Sequence, residues 1–195
     1  VKKVKEIILA STSPRRKELL ENLGVKFKVV GSNIEEKINN KLSSPEIVKD
    51  LAYQKAKAVS NKITGNHLVI AADTIVEYNN ILGKPKDTEE ARFMLKLLSG
   101  QVHKVITGFA IIDSLTKREF IDYECTKVYF NNLSNDQIER YILTDEPMDK
   151  AGAYGIQGKG SLFVSKIEGD YFNVVGLPVS KLGVVLHNNF NFNLL

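Results

Sequence analysis

The chain has 195 residues, 43% of them hydrophobic, enough for one sizeable core and within the usual size of a single domain. Lys and Arg total 27 against 23 for Asp and Glu, a formal charge of +4; that suits phosphate-bearing ligands but falls far short of the basic stripe of a dedicated nucleic-acid binder. Cys125 is the single cysteine, which excludes an intrachain disulfide and a cysteine-based zinc cage within one chain.

A lone cysteine fits a reducing compartment. No apolar run approaches the ~20 residues needed to cross a bilayer, and the start, Val1 to Ala10, has no signal-peptide h-region. A cytoplasmic protein without membrane contact is expected.

In chain order, strand-like and helix-like stretches alternate without repeats, which predicts one α/β domain over residues 1–195. Ile7 to Ala10 reads as a buried strand. Pro14 then opens a helix with Ser13 as its cap, Leu19, Leu20 and Leu23 as its apolar stripe and Gly24 as its stop. Phe27 to Val30 is the next strand. Ser44-Pro45 starts a second helix, with Ile47, Val48, Leu51, Ala52 and Val59 at helical spacing and Lys55 sharing part of that surface. His67 to Ala72 is an apolar strand expected to end on Asp73-Thr74, and Thr74 to Tyr78 runs on with β-favouring residues to a turn at Asn79-Asn80.

Asp87-x-x-Glu90 resembles a capping box before a helix from Ala91 to Leu98 that Gly100 terminates. Val102 to Ile112 and Phe120 to Phe130 are two longer strands joined by a turn around Ser114 to Lys117. Ser134-x-x-Gln137 is a second capping box. Gly152, Gly155, Gly158 and Gly160 mark a glycine-rich loop, Ser161 to Ile167 a strand, and Pro178 the start of the last helix.

The run Ser11-Thr12-Ser13-Pro14-Arg15-Arg16 places two hydroxyl-bearing serines and two guanidiniums at the start of a helix, where an anion is already favoured. A plain serine cap followed by solvated arginines fits the same spacing. Asp73, at a strand end, can hold a divalent cation or take a proton from attacking water, or it can be a turn aspartate bonded to its own backbone. Glu35-Glu36 is a second acidic site or a surface pair. Lys84 in Gly83-Lys84-Pro85 is a point charge for a polyphosphate or a solvated loop lysine. Gly155-Ile156-Gln157-Gly158 allows backbone and an amide to approach a base or sugar, or is a mobile loop. His67, His103 and His187 lack metal-ligand spacing. Neither a GxxxxGK[ST] loop nor a GxGxxG fingerprint occurs.

Several of these blocks, taken together, resemble the Maf family of nucleoside triphosphate pyrophosphatases. They are Leu9 to Leu20, Ala72-Asp73-Thr74-Ile75-Val76, Ile81-Leu82-Gly83-Lys84-Pro85, Ser99-Gly100-x-x-His103-x-Val105-x-Thr107-Gly108, Asp149 to Gly158, and Asn173 to Pro178. The resemblance implies a mixed twisted sheet flanked by helices in two lobes around a cleft, shared with inosine triphosphate pyrophosphatases. It also implies cleavage of a nucleoside triphosphate to the monophosphate and pyrophosphate with Mg²⁺ or Mn²⁺. Asp73 matches the family's proton acceptor and, with Glu36, its metal position. Arg15, Thr74 and Gln157 match positions linked to substrate choice, and Ser11, Ser13, Arg16, Lys55 and Lys84 the phosphate-binding and catalytic surroundings. Family members commonly carry Asp where this chain has Glu35. The AYGIQG form at Ala153 to Gly158 is similar to the branch acting on dTTP and UTP. A homodimer follows from the same resemblance. Two other readings compete: a nucleotide-sensing regulator of septum formation without turnover, and a nucleic-acid-binding module, against which the scattered basic residues argue.

Overall fold

The computed structural model describes residues 5–195; Val1 to Val4, part of the opening stretch read for a signal peptide, lie outside them. The elements are β1 (Glu6–Leu9), α1 (Pro14–Asn22), β2 (Phe27–Val29), α2 (Ser44–Ser60), β3 (His67–Tyr78), β4 (Asn80–Leu82), α3 (Thr88–Leu98), β5 (Val102–Asp113), β6 (Glu119–Phe130), α4 (Asn135–Ile142), β7 (Val164–Glu168), α5 (Tyr171–Val175) and α6 (Val179–Phe190). The strands form one mixed sheet in the order β2-β1-β3-β5-β6-β7, with β4 paired to β3. β1 runs parallel to both β2 and β3, whereas β3–β4 and β6–β7 are antiparallel. The expected mixed sheet flanked by helices is present. None of the helices among the described residues is long and apolar enough to cross a membrane.

The chain divides into two compact units. One holds the chain up to Asp73, Thr107–Glu124 and Gly176–Leu195; the other holds Thr74–Ile106 and Cys125–Val175. In the first unit Ile8, Ala10, Ala52, Ala56, Val59, Val69, Ala71, Ala110 and Ile112 share a core. The burial of Leu68 through Ala72 and of Thr107 through Ile112 without alternation means that both faces of these strands are covered. α2 starts on a capping box that the sequence reading did not single out: the Ser43 backbone N–H donates to Glu46 Oε2 at 2.9 Å.

The second unit packs α3 and α4 over Val76, Leu82, Val105, Val128, Phe130 and Phe163. Both predicted N-caps form there, Glu90 N–H donating to Asp87 Oδ1 at 2.8 Å and Gln137 N–H to Ser134 Oγ at 3.2 Å, but only Ser134 completes a capping box, the Glu90 carboxylate accepting the Lys86 N–H instead. α5 was not foreseen. Its Asn173 is fully buried and donates through Nδ2 to Val105 O and Thr126 Oγ1, both at 3.0 Å, so a polar residue is the pin that fixes this short helix.

Two expectations need correction. β3 does not stop at Asp73; it continues unbroken to Tyr78 because Thr74, Ile75 and Val76 favour extended backbone and Val76 pairs with Leu82 of β4. The strand expected from Ser161 begins only at Val164, because the chain up to Phe163 is wound into 3-10 turns: Ala151–Ala153 and Gly158–Phe163 fall in the glycine-rich stretch and Glu146–Asp149 precedes it.

His103 is a core residue of the second unit, 2% exposed, with Nε2 2.6 Å from the Tyr154 hydroxyl and the Phe130 and Tyr154 rings set edge-on to it. Burial lowers its pKa to about 4, against about 6.5 in an unfolded chain. The folded state therefore refuses a proton that the unfolded chain accepts. Stability linked to His103 is complete above about pH 6.5 and is withdrawn as pH falls toward 4, by a total of about 3 kcal/mol. The urea midpoint of the parent should fall more steeply between pH 7 and 4 than that of His103→Gln; parallel curves would show that His103 titrates normally.

Candidate active site

The first unit holds seven of the residues singled out in the sequence: Ser11, Ser13, Arg15, Arg16, Glu36, Lys55 and Asp73. β1 is buried and in parallel register with β3, Leu9 opposite Ile70, and the Ala10 N–H still donates to Ile70 O at 2.7 Å. The chain then leaves the sheet, so Ser11 emerges beside the part of β3 that runs past the end of β1 and carries Asp73. Asp73 is therefore not at a strand end, as its composition suggested: the strand that ends here is β1, and β3 carries Asp73 past it.

At the corner the roles of the two serines are exchanged. Ser13 occupies the N-cap of α1 with extended backbone but makes no side-chain cap bond. Instead its own N–H donates to Ser11 Oγ at 3.2 Å, a short side-chain turn that redirects the chain before Pro14 starts the helix. Ser11 Oγ also receives Arg16 Nη1 at 3.3 Å, and Arg16 Nε donates to Gly176 O at 2.7 Å. The guanidinium is thus fixed at two points before any ligand arrives. Burial draws the Arg16 pKa down while Asp73 and Glu36 oppose that shift and Arg15 adds to it; arginine nevertheless stays charged in proteins. Arg15 lies half-buried on the same first turn.

α2 delivers the lysine. Leu51 and Val59 are buried at one helical turn on either side of Lys55, so the Lys55 stem lies along the packed stripe and its ammonium reaches out at the end. There Nζ is 2.5 Å from Asp73 Oδ1 and 3.0 Å from Glu36 Oε1. The Lys55 and Asp73 side chains are 13% and 14% exposed, against 43% for Glu36, so the Lys55–Asp73 pair is the sheltered one and Glu36 closes its solvent side.

The acidic loop is held in place by a residue the sequence reading passed over. Gln54 donates through Nε2 to Lys37 O at 2.9 Å and accepts the Lys37 N–H through Oε1 at 3.2 Å. This two-point clamp fixes the loop next to Glu36. Gly176 has no side chain to mark it in the sequence, although its carbonyl orients Arg16. Neither carried a local signal, since both act through partners distant in sequence.

The remaining candidates belong to the second unit. Thr74 follows Asp73 on β3, Lys84 is exposed on the loop after β4, and Gln157 is half-buried between the second and third 3-10 turns.

Among the described residues no group of three or more His, Cys, Asp or Glu side chains is close enough to cage a metal ion. Asp73 and Glu36 supply two carboxylates, already drawn together around one ammonium. That donor set fits Mg²⁺ or Mn²⁺, which commonly take one or two protein carboxylates and complete their shell with water and substrate phosphate oxygens.

The family model described as Maf-like protein matches residues 6–189. A protein of Alkaliphilus oremlandii (strain OhILAs) named dTTP/UTP pyrophosphatase is 71% identical over 192 residues, covering 98% of this chain and 100% of that protein. Another of the same name, from Alkaliphilus metalliredigens (strain QYMF), is 53% identical over 192 residues, again 98% and 100%. The solved structure of a HAM1 protein from Coxiella burnetii overlaps 65% of this chain and 73% of its own at 14% identity, with a TM-score of 0.43, a likeness that carries no functional weight.

Proposed function

This chain belongs to the Maf-like family, and from that premise we propose that it hydrolyses dTTP and UTP to the nucleoside monophosphate and pyrophosphate. The observation that carries the reading is the Asp73 carboxylate gripped by Lys55 beside the Ser11–Arg16 corner. A carboxylate suited to accepting a proton, an anchored guanidinium and a second cation within one unit support this reading.

Asp73 takes a proton from water as its oxygen forms a bond to the α-phosphorus. The bond from that phosphorus to the bridging oxygen breaks, and pyrophosphate leaves with the electron pair. Lys55 holds Asp73 in one orientation, which a general base needs more than raw basicity. Ser11, Ser13 and Arg16 receive phosphate oxygens, and Lys84 disperses charge on the leaving group. Arg15, Thr74 and Gln157 select the nucleotide. A divalent cation, held by Asp73 and Glu36 when bound, would neutralise charge on the triphosphate. Residues 1–195 act in this reading as one catalytic domain of a cytoplasmic homodimer.

Turnover of dTTP and UTP with Mg²⁺ or Mn²⁺ in ¹⁸O-labelled water is the test. Label should enter the monophosphate, with pyrophosphate released in equal amount and unlabelled. Orthophosphate and a nucleoside diphosphate as products would reject attack at the α-phosphorus.

A further inference from the structure

Within the second unit one carboxylate outside the proposed chemistry organises the segment that carries Gln157. Glu146 opens the first 3-10 turn. Its Oε1 accepts the Tyr141 hydroxyl at 3.0 Å and the Gly160 N–H at 3.1 Å, and its Oε2 accepts the Lys159 N–H at 3.2 Å. The Tyr141 hydroxyl in turn accepts the Gly155 N–H at 3.3 Å. Lys150 Nζ donates to the Glu146 carbonyl at 2.6 Å, so the backbone of Glu146 is itself tied down.

The consequence is a loop stitched at both ends to one side-chain pair, with Ile156, Gln157 and Gly158 between the stitches. The ends also touch: a Cβ on Gly160 would lie 2.2 Å from Gly155 O and 2.8 Å from the Tyr141 hydroxyl, so only glycine lets them close. Burial raises the Tyr141 pKa above its ordinary value, which keeps the hydroxyl protonated and donating to Glu146.

We propose that Glu146 is a positioning residue for nucleotide selection: with Tyr141 it fixes the 155–160 loop so that Gln157 meets the pyrimidine in one conformation. The inference rests on the pyrophosphatase reading and on Gln157 as a selecting residue. A carboxylate suits the task because it offers acceptors to three donors at once. Glutamine in its place would turn an amide N–H₂ toward one of those donors.

Glu146→Ala, Glu146→Gln and Tyr141→Phe test it, with kcat and KM measured for dTTP, UTP, dCTP and CTP and amide exchange followed at Gly155, Lys159 and Gly160. In Glu146→Ala the KM for dTTP should rise about tenfold or more and the preference for dTTP over dCTP should shrink by a similar factor, the loss expected for charge-assisted bonds. The kcat should stay within about threefold. The amides of Lys159 and Gly160 should exchange faster. Glu146→Gln should fall between parent and Glu146→Ala. Tyr141→Phe should shift the same quantities less and expose Gly155, and it carries the test if the alanine variant fails to fold. Unchanged KM and preference alongside faster exchange would overturn the proposal, as would an equal loss of kcat for every nucleotide. A parent that releases no pyrophosphate from any of them would instead overturn the pyrophosphatase reading before any variant is compared.

Discussion

Replacing Asp73 with asparagine is expected to lower kcat for dTTP by about 10²–10⁴-fold, the usual contribution of a positioned general base, or roughly 3–5 kcal/mol of barrier. The substitution keeps size and shape and leaves an amide oxygen for Lys55, so it removes the proton acceptor without emptying the site. Lys55 also retains Glu36 at 3.0 Å, which spares it the full cost of an abandoned buried charge. The fold should therefore survive with only a modest drop in thermal midpoint, and the KM should move far less than kcat. Pyrophosphate release under single-turnover conditions separates the two. A kcat within a few-fold of the parent would remove Asp73 from the chemistry and leave its ion pair as a structural feature.

Gly108→Ala should give the largest loss of stability. A Cβ at Gly108 would lie 2.3 Å from both the carbonyl carbon and oxygen of Val48 and 2.6 Å from the Lys49 nitrogen. These are backbone atoms of a 17-residue helix, so no side chain can swing aside and α2 must move as a body. Overpacking of this kind costs about 1–3 kcal/mol and occasionally more. It also acts at a distance, because the same helix carries Gln54 and Lys55; a displacement of about 1 Å at a reacting group can cost on the order of 10²-fold in rate. A lowered urea midpoint together with reduced kcat is the expected result. Gly83→Ala is the control, since nothing lies within 4 Å of its added carbon, and its stability should stay within about 0.5 kcal/mol of the parent. A Gly108→Ala protein as stable as the control would show that α2 packs against β5 more loosely than these distances state.

Elements with a local cause were legible from the residues. The apolar spacing of Ile47, Val48, Leu51 and Val59 predicts α2, and the Asp87 and Ser134 caps mark the starts of α3 and α4 near where they occur. Errors fall where local rules compete. Ser11 and Ser13 are both capable acceptors, and only the point at which the chain leaves β1 decides between them. Asp73-Thr74 reads as a strand end by composition, but pairing with β4 carries the strand through. The glycines at 152, 155, 158 and 160 announce irregular backbone without revealing that Glu146 and Tyr141 hold it in order.

The sequence by itself determined the parts: a helix opening on Ser11 to Arg16, a carboxylate on an apolar strand, a lysine on the flank of an amphipathic helix, and the family those blocks share. Tertiary structure decided which parts meet. Lys55 reaches Asp73 across 18 residues and Arg16 reaches Gly176 across 160. No periodicity encodes such pairs, because they depend on the parallel register of β1 with β3 and on how closely α2 seats over Gly108. The Ser11–Arg16 corner was readable as a place for an anion; its two-point anchorage, and the ion pair that stands beside it, exist only once the sheet has aligned its strands.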